Sequence, residues 1–313
     1  MKENKAMKKL IFDTDPGIDD AMALLLLHAI SDFDIRGITT VFGNASIEDC
    51  TRNALYICER FKLPYKVYQG AGRGLNGDNE EAYPDFVHGK NGLGDIDQGD
   101  ISIDSEKESA VDFIVREVEA NAGDITILAV GRLTNIALAL LQAPGLDKKI
   151  SEIVIMGGAL KVAGNVTAWA EANIHGDPEA AQCVFESGVP LVMVGLDATM
   201  SNQMTKDHLE NVTGQLDDAG LFLRTIKKCY LDFHASKGIV DAFPIHDSTA
   251  VLRLARPEFF DDLQGNVQCV LSGEQRGRTE LLDSRPVHRV CMKSDNRRCI
   301  TYFDEVMKRC YSR

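Results

Sequence analysis

The chain has 313 residues, 44% hydrophobic and 26% charged, which is the balance of a soluble globular protein and enough length for one large α/β domain or two ordinary ones. A formal net charge of -13 excludes a broad basic footprint for nucleic acid or for an anionic membrane surface. The longest apolar run, AMALLLLHAI, is about half a bilayer crossing and carries a His, and the basic start MKENKAMKKLIF reaches Asp13 before any signal-like apolar region develops.

KKLIFDTD reads as the first strand and DAMALLLLHAIS as the first helix. DIRGITTVFGN and SIEDCTRNALYICERF repeat that order, and YKVYQGA adds a strand. Segment 70–99 is rich in Gly, Asp and Asn and reads as a long surface loop, of the kind that forms a lid or a binding loop. SAVDFIVREVEAN, LTNIALALLQ, DPEAAQCVFESG and DSTAVLRLARPEF follow as helices. DITILAVG, EIVIMGGAL, PLVMVGLDAT and VQCVLSG are the strands among them. The stretch from RGRTELLD to RRCITYF reads as extra edge strands. Most strands are continuously apolar, the pattern of a strand covered on both faces. Their alternation with helices predicts an α/β fold: an open, mostly parallel, doubly wound sheet with helices on both faces and a few extra C-terminal edge strands. No composition shift marks a linker, so residues 1–313 read as a single domain. The eight cysteines form no CxxC pair and no Cys/His ligand spacing. They are expected to be reduced thiols in a cytosolic protein, with Cys50 and Cys58 inside a helix.

The turn LIFDTDPGIDD raises a problem of charge. Asp13, Asp15, Asp19 and Asp20 crowd one strand end between two apolar segments. Acids before a helix cap free N–H groups and complement the dipole, which accounts for one or two of the four. Two carboxylates about 4 Å apart repel by roughly 4 kcal/mol at an effective dielectric of about 20. The rest must splay into water, share protons or hold a cation, and carboxylate oxygens select Ca2+ or Mg2+. Ligands of open α/β sheets bind beyond the carboxyl ends of strands, where this turn lies. A DxD strand end also opens phosphohydrolases that form an aspartyl phosphate, which would make Asp13 a nucleophile. Those usually carry Thr or Val where this chain has Gly17.

DTDPGIDDAMAL resembles the signature of the inosine–uridine nucleoside hydrolases, Ca2+-dependent enzymes that cut the N-glycosidic bond of ribonucleosides. The likeness recurs in order through TTVFGN, HGKNGLGD, AVGRLTNIALAL, IVIMGGAL, GNVTAWAEANIHGDPEAA and PIHDSTAV, from about Lys8 to Tyr302. The resemblance implies that Asp15 binds the metal and activates the attacking water. Asp20, Asp247 and the Val130 carbonyl complete the metal site, although relatives often have Thr at the last position. Asp19, Asn44, Met156, Asn165, Glu171 and Asn173 would contact ribose, with Asp13 supporting the turn from behind. Glu171 and Asn173 lie two apart, so in an extended segment both would face one way. His246 would be the general acid for the departing base, and His88, Phe233 and His234 would meet the base. Plainer roles compete: turn residues for Asn44 and Asn165, core filling for Met156, a helix start for Asp177, a helix cap for Asp247. His28, His175, His208 and His288 read as structural or surface groups. Two positions depart from the family pattern. Ala172 stands where relatives often carry Phe, and Arg132 stands where Pro is common, where it is expected to alter only the start of a helix.

The expected chemistry is hydrolysis of a ribonucleoside of the inosine, uridine or cytidine type, in nucleoside salvage. Breaking the ribose–base bond leaves an oxocarbenium-like sugar. A carboxylate cluster around Ca2+ would lower the pKa of bound water, grip the ribose hydroxyls and stabilise the cation. The resemblance implies a homodimer or homotetramer. A Mg2+-dependent phosphohydrolase and an inactive ribose-binding protein are the alternatives.

Overall fold

The computed structural model describes residues 7–77, 83–282 and 287–312. In chain order the elements are β1 (Lys8–Thr14), α1 (Ile18–Ala29), β2 (Phe33–Thr40), α2 (Ile47–Arg60), β3 (Val67–Gln69), α3 (Asp85–His88), α4 (Ala110–Ala120), β4 (Ile125–Ala129), α5 (Thr134–Gln142), β5 (Ile150–Met156), α6 (Ala172–Gly176) and α7 (Pro178–Glu186). Then come β6 (Leu191–Val194), α8 (Leu196–Thr199), β7 (Gln203–Thr205), α9 (Lys206–Thr213), α10 (Asp218–Ser236), β8 (Ala242–Pro244), α11 (His246–Ala255), β9 (Phe260–Cys269), β10 (Thr279–Leu282), β11 (His288–Ser294) and α12 (Asn296–Tyr311).

Nine strands form one sheet in the order β10-β9-β11-β6-β5-β4-β1-β2-β3. Among its described strands all neighbours from β11 to β3 are parallel, and the β9–β11 and β9–β10 pairs are antiparallel; β7 and β8 form a separate antiparallel pair. The chain winds outward from β1 through β2 to β3, then crosses back to place β4 on the other side of β1. The winding direction therefore reverses between β1 and β4, and a crevice opens above their carboxyl ends.

Alternate residues of β1 feed the two cores. Leu10 and Phe12 enter the larger core with α1, while Ile11 joins the core under α4, α5 and α7. The run Leu24–Leu27 explains the position of α1. Each of these leucines is at most 1% exposed, because α1 shares the larger core with strand residues such as Leu10, Phe12 and Leu128 and is itself covered by α10, α11 and α12. A helix that is apolar all round must be enclosed in this way, and each such side chain stabilises the fold by about 1.5–3 kcal/mol.

The expected C-terminal edge strand is present as β10, at the end of the sheet and paired antiparallel with β9, and the expectation needs correcting only beyond it. β11 lies inside the sheet between β6 and β9, and RRCITYF opens helix α12 instead of forming a strand. Its buried residues Cys299, Phe303, Val306 and Met307 recur at helical spacing. Segment 70–99 is not wholly loop: it contains α3, which carries a buried His88, and its residues 78–82 lie outside the described residues. The cysteines are free thiols, and Cys50 and Cys58 are buried in α2 as expected. Among the described residues no helix is long and apolar enough to cross a membrane.

Candidate active site

β1 delivers Asp13 and the turn beyond it delivers Asp15, while Asp19 and Asp20 occupy the first turn of α1. All four are buried. Asp13 is the support behind the turn. Its Oδ2 accepts from Thr39 Oγ1 at 2.5 Å and from Asn135 Nδ2 at 2.8 Å. Burial pushes its carboxyl up to about 7 against those two hydrogen bonds. Held in this way inside the sheet, Asp13 is poorly presented as a nucleophile.

Asp20 does part of the helix-start work that the plain reading allowed to one or two of the four. Its Oδ2 accepts the Gly17 N–H at 3.0 Å, and its Oδ1 accepts from Thr14 Oγ1 at 2.6 Å. Asn44 ties the turn to the end of β2: its N–H donates to Asp15 Oδ2 at 2.8 Å, and its Nδ2 donates to Asp20 Oδ2 at 2.8 Å and to the Asp15 carbonyl at 3.1 Å. Two glycines make room for the Asp15 carboxylate. A Cβ on Gly43 would lie 2.0 Å from Asp15 Oδ2, and one on Gly131 would lie 2.7 Å from Asp15 Oδ1. Sequence reasoning quoted both glycines inside motifs without giving them this task.

A fifth carboxylate arrives with α11. Asp247 is the second residue of that helix, not its cap, and its N–H donates to Asp19 Oδ2 at 3.0 Å. The Asp247 and Asp20 carboxyls are within hydrogen-bonding reach of each other. Burial first, and then the charges of Asp20, Asp19 and Asp15, hold Asp247 well above the usual carboxylate range. Burial and Asp20 do the same to Asp15, and burial pushes Asp19 up to about 7. Asp15 Oδ1 and Asp19 Oδ1 are buried and make no hydrogen bond. Unpartnered carboxylate oxygens inside a cluster of raised carboxyls are the donor set of a hard divalent cation. Among the described residues, no three His, Cys, Asp or Glu side chains already surround one point as a finished cage. Asp15, Asp20 and Asp247, the three side chains of the expected ligand set, therefore do not stand as a finished cage in this structure, and the Val130 carbonyl is the expected fourth ligand.

That carbonyl, on Val130, lies just beyond β4 and accepts from Asn173 Nδ2 at 2.7 Å. The same amide reaches the Met156 carbonyl at 3.1 Å, so Asn173 bridges the ends of β4 and β5. The extended geometry expected around it is absent. Glu171 caps the short helix α6, and its carboxylate accepts backbone N–H groups of Asn173, Ile174 and Gly158. Asn165 is turned to the same segment, where its Oδ1 accepts the Ala172 N–H at 3.0 Å; its hydrogen bond is to that backbone and not to the carboxylates. Asp177 is structural, as expected: it caps α7 and accepts from Thr134 Oγ1 and the Leu75 N–H. Arg132 does more than alter the start of a helix. Its guanidinium stacks 4.3 Å from the Phe42 ring centre and donates to the Gly176 carbonyl, and its charge favours the ionised form of Asp15.

Three histidines lie beside this cluster. His88 Nδ1 accepts the Ile18 N–H at 3.1 Å, which leaves the ring proton on Nε2. His246 Nδ1 lies 2.7 Å from Thr199 Oγ1. His234, on α10, is 6.2 Å from His246 between ring centres, and its Nε2 is buried without a hydrogen bond. Burial lowers His88 and His246 to about 3 and His234 to about 4, so all three are neutral near pH 7. Phe233 faces Phe86 at 5.7 Å and lies under Lys237. Tyr230, which sequence reasoning left unassigned, fills the space between His234 and Asp19.

Comparison with known proteins agrees with this geometry. A family model described as inosine-uridine preferring nucleoside hydrolase matches residues 10–301. Uridine nucleosidase 1 of Arabidopsis thaliana is 40% identical over 273 residues, covering 87% of this chain and 81% of its own. A pyrimidine-specific ribonucleoside hydrolase, RihB, of Escherichia coli is 36% identical over 278 residues, covering 87% and 86%. Among solved structures, a purine-preferring ribonucleoside hydrolase from Gardnerella vaginalis superposes with a TM-score of 0.92 at 35% identity, covering 97% of this chain and 99% of that one. A plant nucleoside hydrolase gives 0.91 at 32% identity, covering 96% and 98%. The chain belongs to the inosine-uridine preferring nucleoside hydrolase family and is an enzyme that cleaves N-glycosidic bonds.

Proposed function

We propose that this enzyme hydrolyses ribonucleosides to free base and ribose in a Ca2+-dependent reaction, with uridine as the preferred test substrate. The observation that carries the reading is the convergence of Asp15, Asp19, Asp20 and Asp247 at the crevice, with Asp15 Oδ1 and Asp19 Oδ1 buried and unpartnered. The choice of uridine is supported by relatives at 36–40% identity that are named uridine nucleosidases or pyrimidine-specific hydrolases.

Asp15, Asp20, Asp247 and the Val130 carbonyl would hold the ion. When bound, it supplies compensating charge and lowers the proton affinity of water beside it. Asp15 accepts the proton of the water that attacks the anomeric carbon. Asp19, Asn44, Asn173 and the Met156 region orient the sugar hydroxyls before bond breaking, with Glu171 and Asn165 holding the α6 backbone in place. Remaining negative charge in the cluster stabilises the cationic sugar. On the other side, His246 is the general acid. Its Nδ1 is engaged by Thr199, which leaves Nε2 for the base. The resting imidazole is neutral, so it acts as a relay: as negative charge builds on the departing base, His246 takes a proton from solvent at Nε2 and passes it to that base as the bond breaks. His88, His234 and Phe233 contact the base.

The test is incubation with uridine, inosine and a phosphomonoester, following base, ribose and phosphate. Free base plus ribose, independent of added phosphate and abolished by chelation, is expected. Ribose 1-phosphate formed only with phosphate would make the enzyme a phosphorylase and overturn the mechanism. Tight ribose binding without release of base would favour the inactive binding protein. We carry a single domain, a cytosolic salvage role and a homodimer or homotetramer as parts of the same proposal, the last to be measured by sedimentation.

A further inference from the structure

Tyr230 is buried in α10, and its ring packs among apolar neighbours of the larger core. Phenylalanine would fill that space equally well, so it is the hydroxyl that requires a reason. A buried hydroxyl is costly unless it is hydrogen-bonded, and both partners of this one belong to the site. Tyr230 Oη lies 3.3 Å from Asp19 Oδ2 and 3.3 Å from the Pro244 carbonyl. Pro244 ends β8, three residues before Asp247. One hydroxyl proton serves two acceptors, and a carboxylate makes the stronger, charge-assisted bond. Asp19 Oδ2 thus has two donors, Tyr230 Oη and the Asp247 N–H. Asp19 Oδ1 has none and is buried. The edge of the same ring meets His234 at 4.6 Å and lies 5.8 Å from His88 between ring centres. Burial and the Asp19 charge hold the phenol well above its usual range, so it remains a donor.

We infer that Tyr230 is a positioning residue. Its hydroxyl fixes the rotamer of Asp19 so that Oδ1 faces the sugar, and its ring fixes His234 relative to that carboxylate. This rests on the proposed ribonucleoside hydrolysis, in which Asp19 grips a ribose hydroxyl. The test is Tyr230→Phe, which removes the hydroxyl and keeps the ring. It is assayed on uridine, 2′-deoxyuridine and 3′-deoxyuridine beside the wild type, with Tm as the folding control. The expected result is a roughly 10- to 100-fold lower kcat/KM for uridine, the scale of one hydrogen bond to a charged group. The preference for uridine over the analogue lacking the hydroxyl that Asp19 holds should shrink by a similar factor. Adding Asp19→Asn to Tyr230→Phe should cost little more than Asp19→Asn alone. An equal fall for all three substrates, or losses that simply multiply in the double variant, would overturn the inference. If the wild type cleaves no ribonucleoside, it is the proposed function that fails, and a crystal structure of Tyr230→Phe decides the positioning claim. Asp19 turned away from the crevice would support it, and an unmoved carboxylate would overturn it.

Discussion

The two walls of the crevice are built differently. Apart from Asp247, which α11 supplies, the acidic wall comes from residues close in sequence, fixed mostly by backbone N–H groups and short side chains: Asp20 by Gly17 and Thr14, Asp15 by Asn44, Asp13 by Thr39 and Asn135. The aromatic wall is assembled from α3, α10 and α11 by ring packing among His88, Tyr230, Phe233, His234 and His246. A wall defined by hydrogen bonds at strand ends tolerates little change, because every carboxylate position depends on a named donor. A wall defined by aromatic packing on a helix face can be altered one side chain at a time. This contrast suggests that sugar chemistry is fixed by the first wall and base preference by the second.

The strongest challenge to that division is Asp15→Ala, expected to lower kcat by about 10³-fold or more. Retention of most of the activity would rule Asp15 out as the base. Next is Gly43→Ala, whose new methyl would occupy the place of Asp15 Oδ2. A displacement of about 1 Å there is expected to cost on the order of 10²-fold in kcat/KM, with purine and pyrimidine substrates affected alike. A smaller and differently shaped effect is expected from His234→Gln: a change of about tenfold in the uridine-to-inosine ratio with Ca2+ affinity unchanged. If His234→Gln weakened Ca2+ and left the ratio alone, the two walls would not be separable. Thr39→Val, which removes one donor to buried Asp13, is expected to lower stability by about 1–3 kcal/mol in chemical denaturation.

Legibility in the sequence follows the same division. The acidic turn, the GN pair after β2 and the AVG stretch after β4 could be read because each is contiguous and ends a strand. Tyr230 could not, since an aromatic residue in an amphipathic helix looks like core until its hydroxyl's partners on α1 and β8 are known. Glu171 and Asn173 misled through their spacing of two. The carboxylate of a Glu seldom caps a helix, yet here it gathers three backbone N–H groups and turns the segment helical. RRCITYF misled because its window stops at Phe303, before Val306 and Met307 complete the helical stripe. The guanidinium of Arg132 comes near Asp15 only through the fold, which local sequence does not carry.

The central claim is that a divalent cation neutralises the crowded aspartates, and it has a sign that pH exposes. Burial raises Asp13 and Asp19 from 3.8 to about 7. Between those values the folded chain holds protons that the unfolded chain has released, so metal-free stability should fall as pH rises through that window. Burial also raises Asp15, Asp20 and Asp247, so a cation held by them competes with protons there and should stabilise more at pH 8 than at pH 5. The decisive measurement is titration of chelator-treated protein with Ca2+, read by calorimetry and by Tm at both pH values. One saturable ion per chain is expected, with a larger rise in Tm at pH 8 and loss of the binding heat in Asp20→Asn. Absence of saturable binding, with glycosidic cleavage and Tm indifferent to chelation, would contradict it.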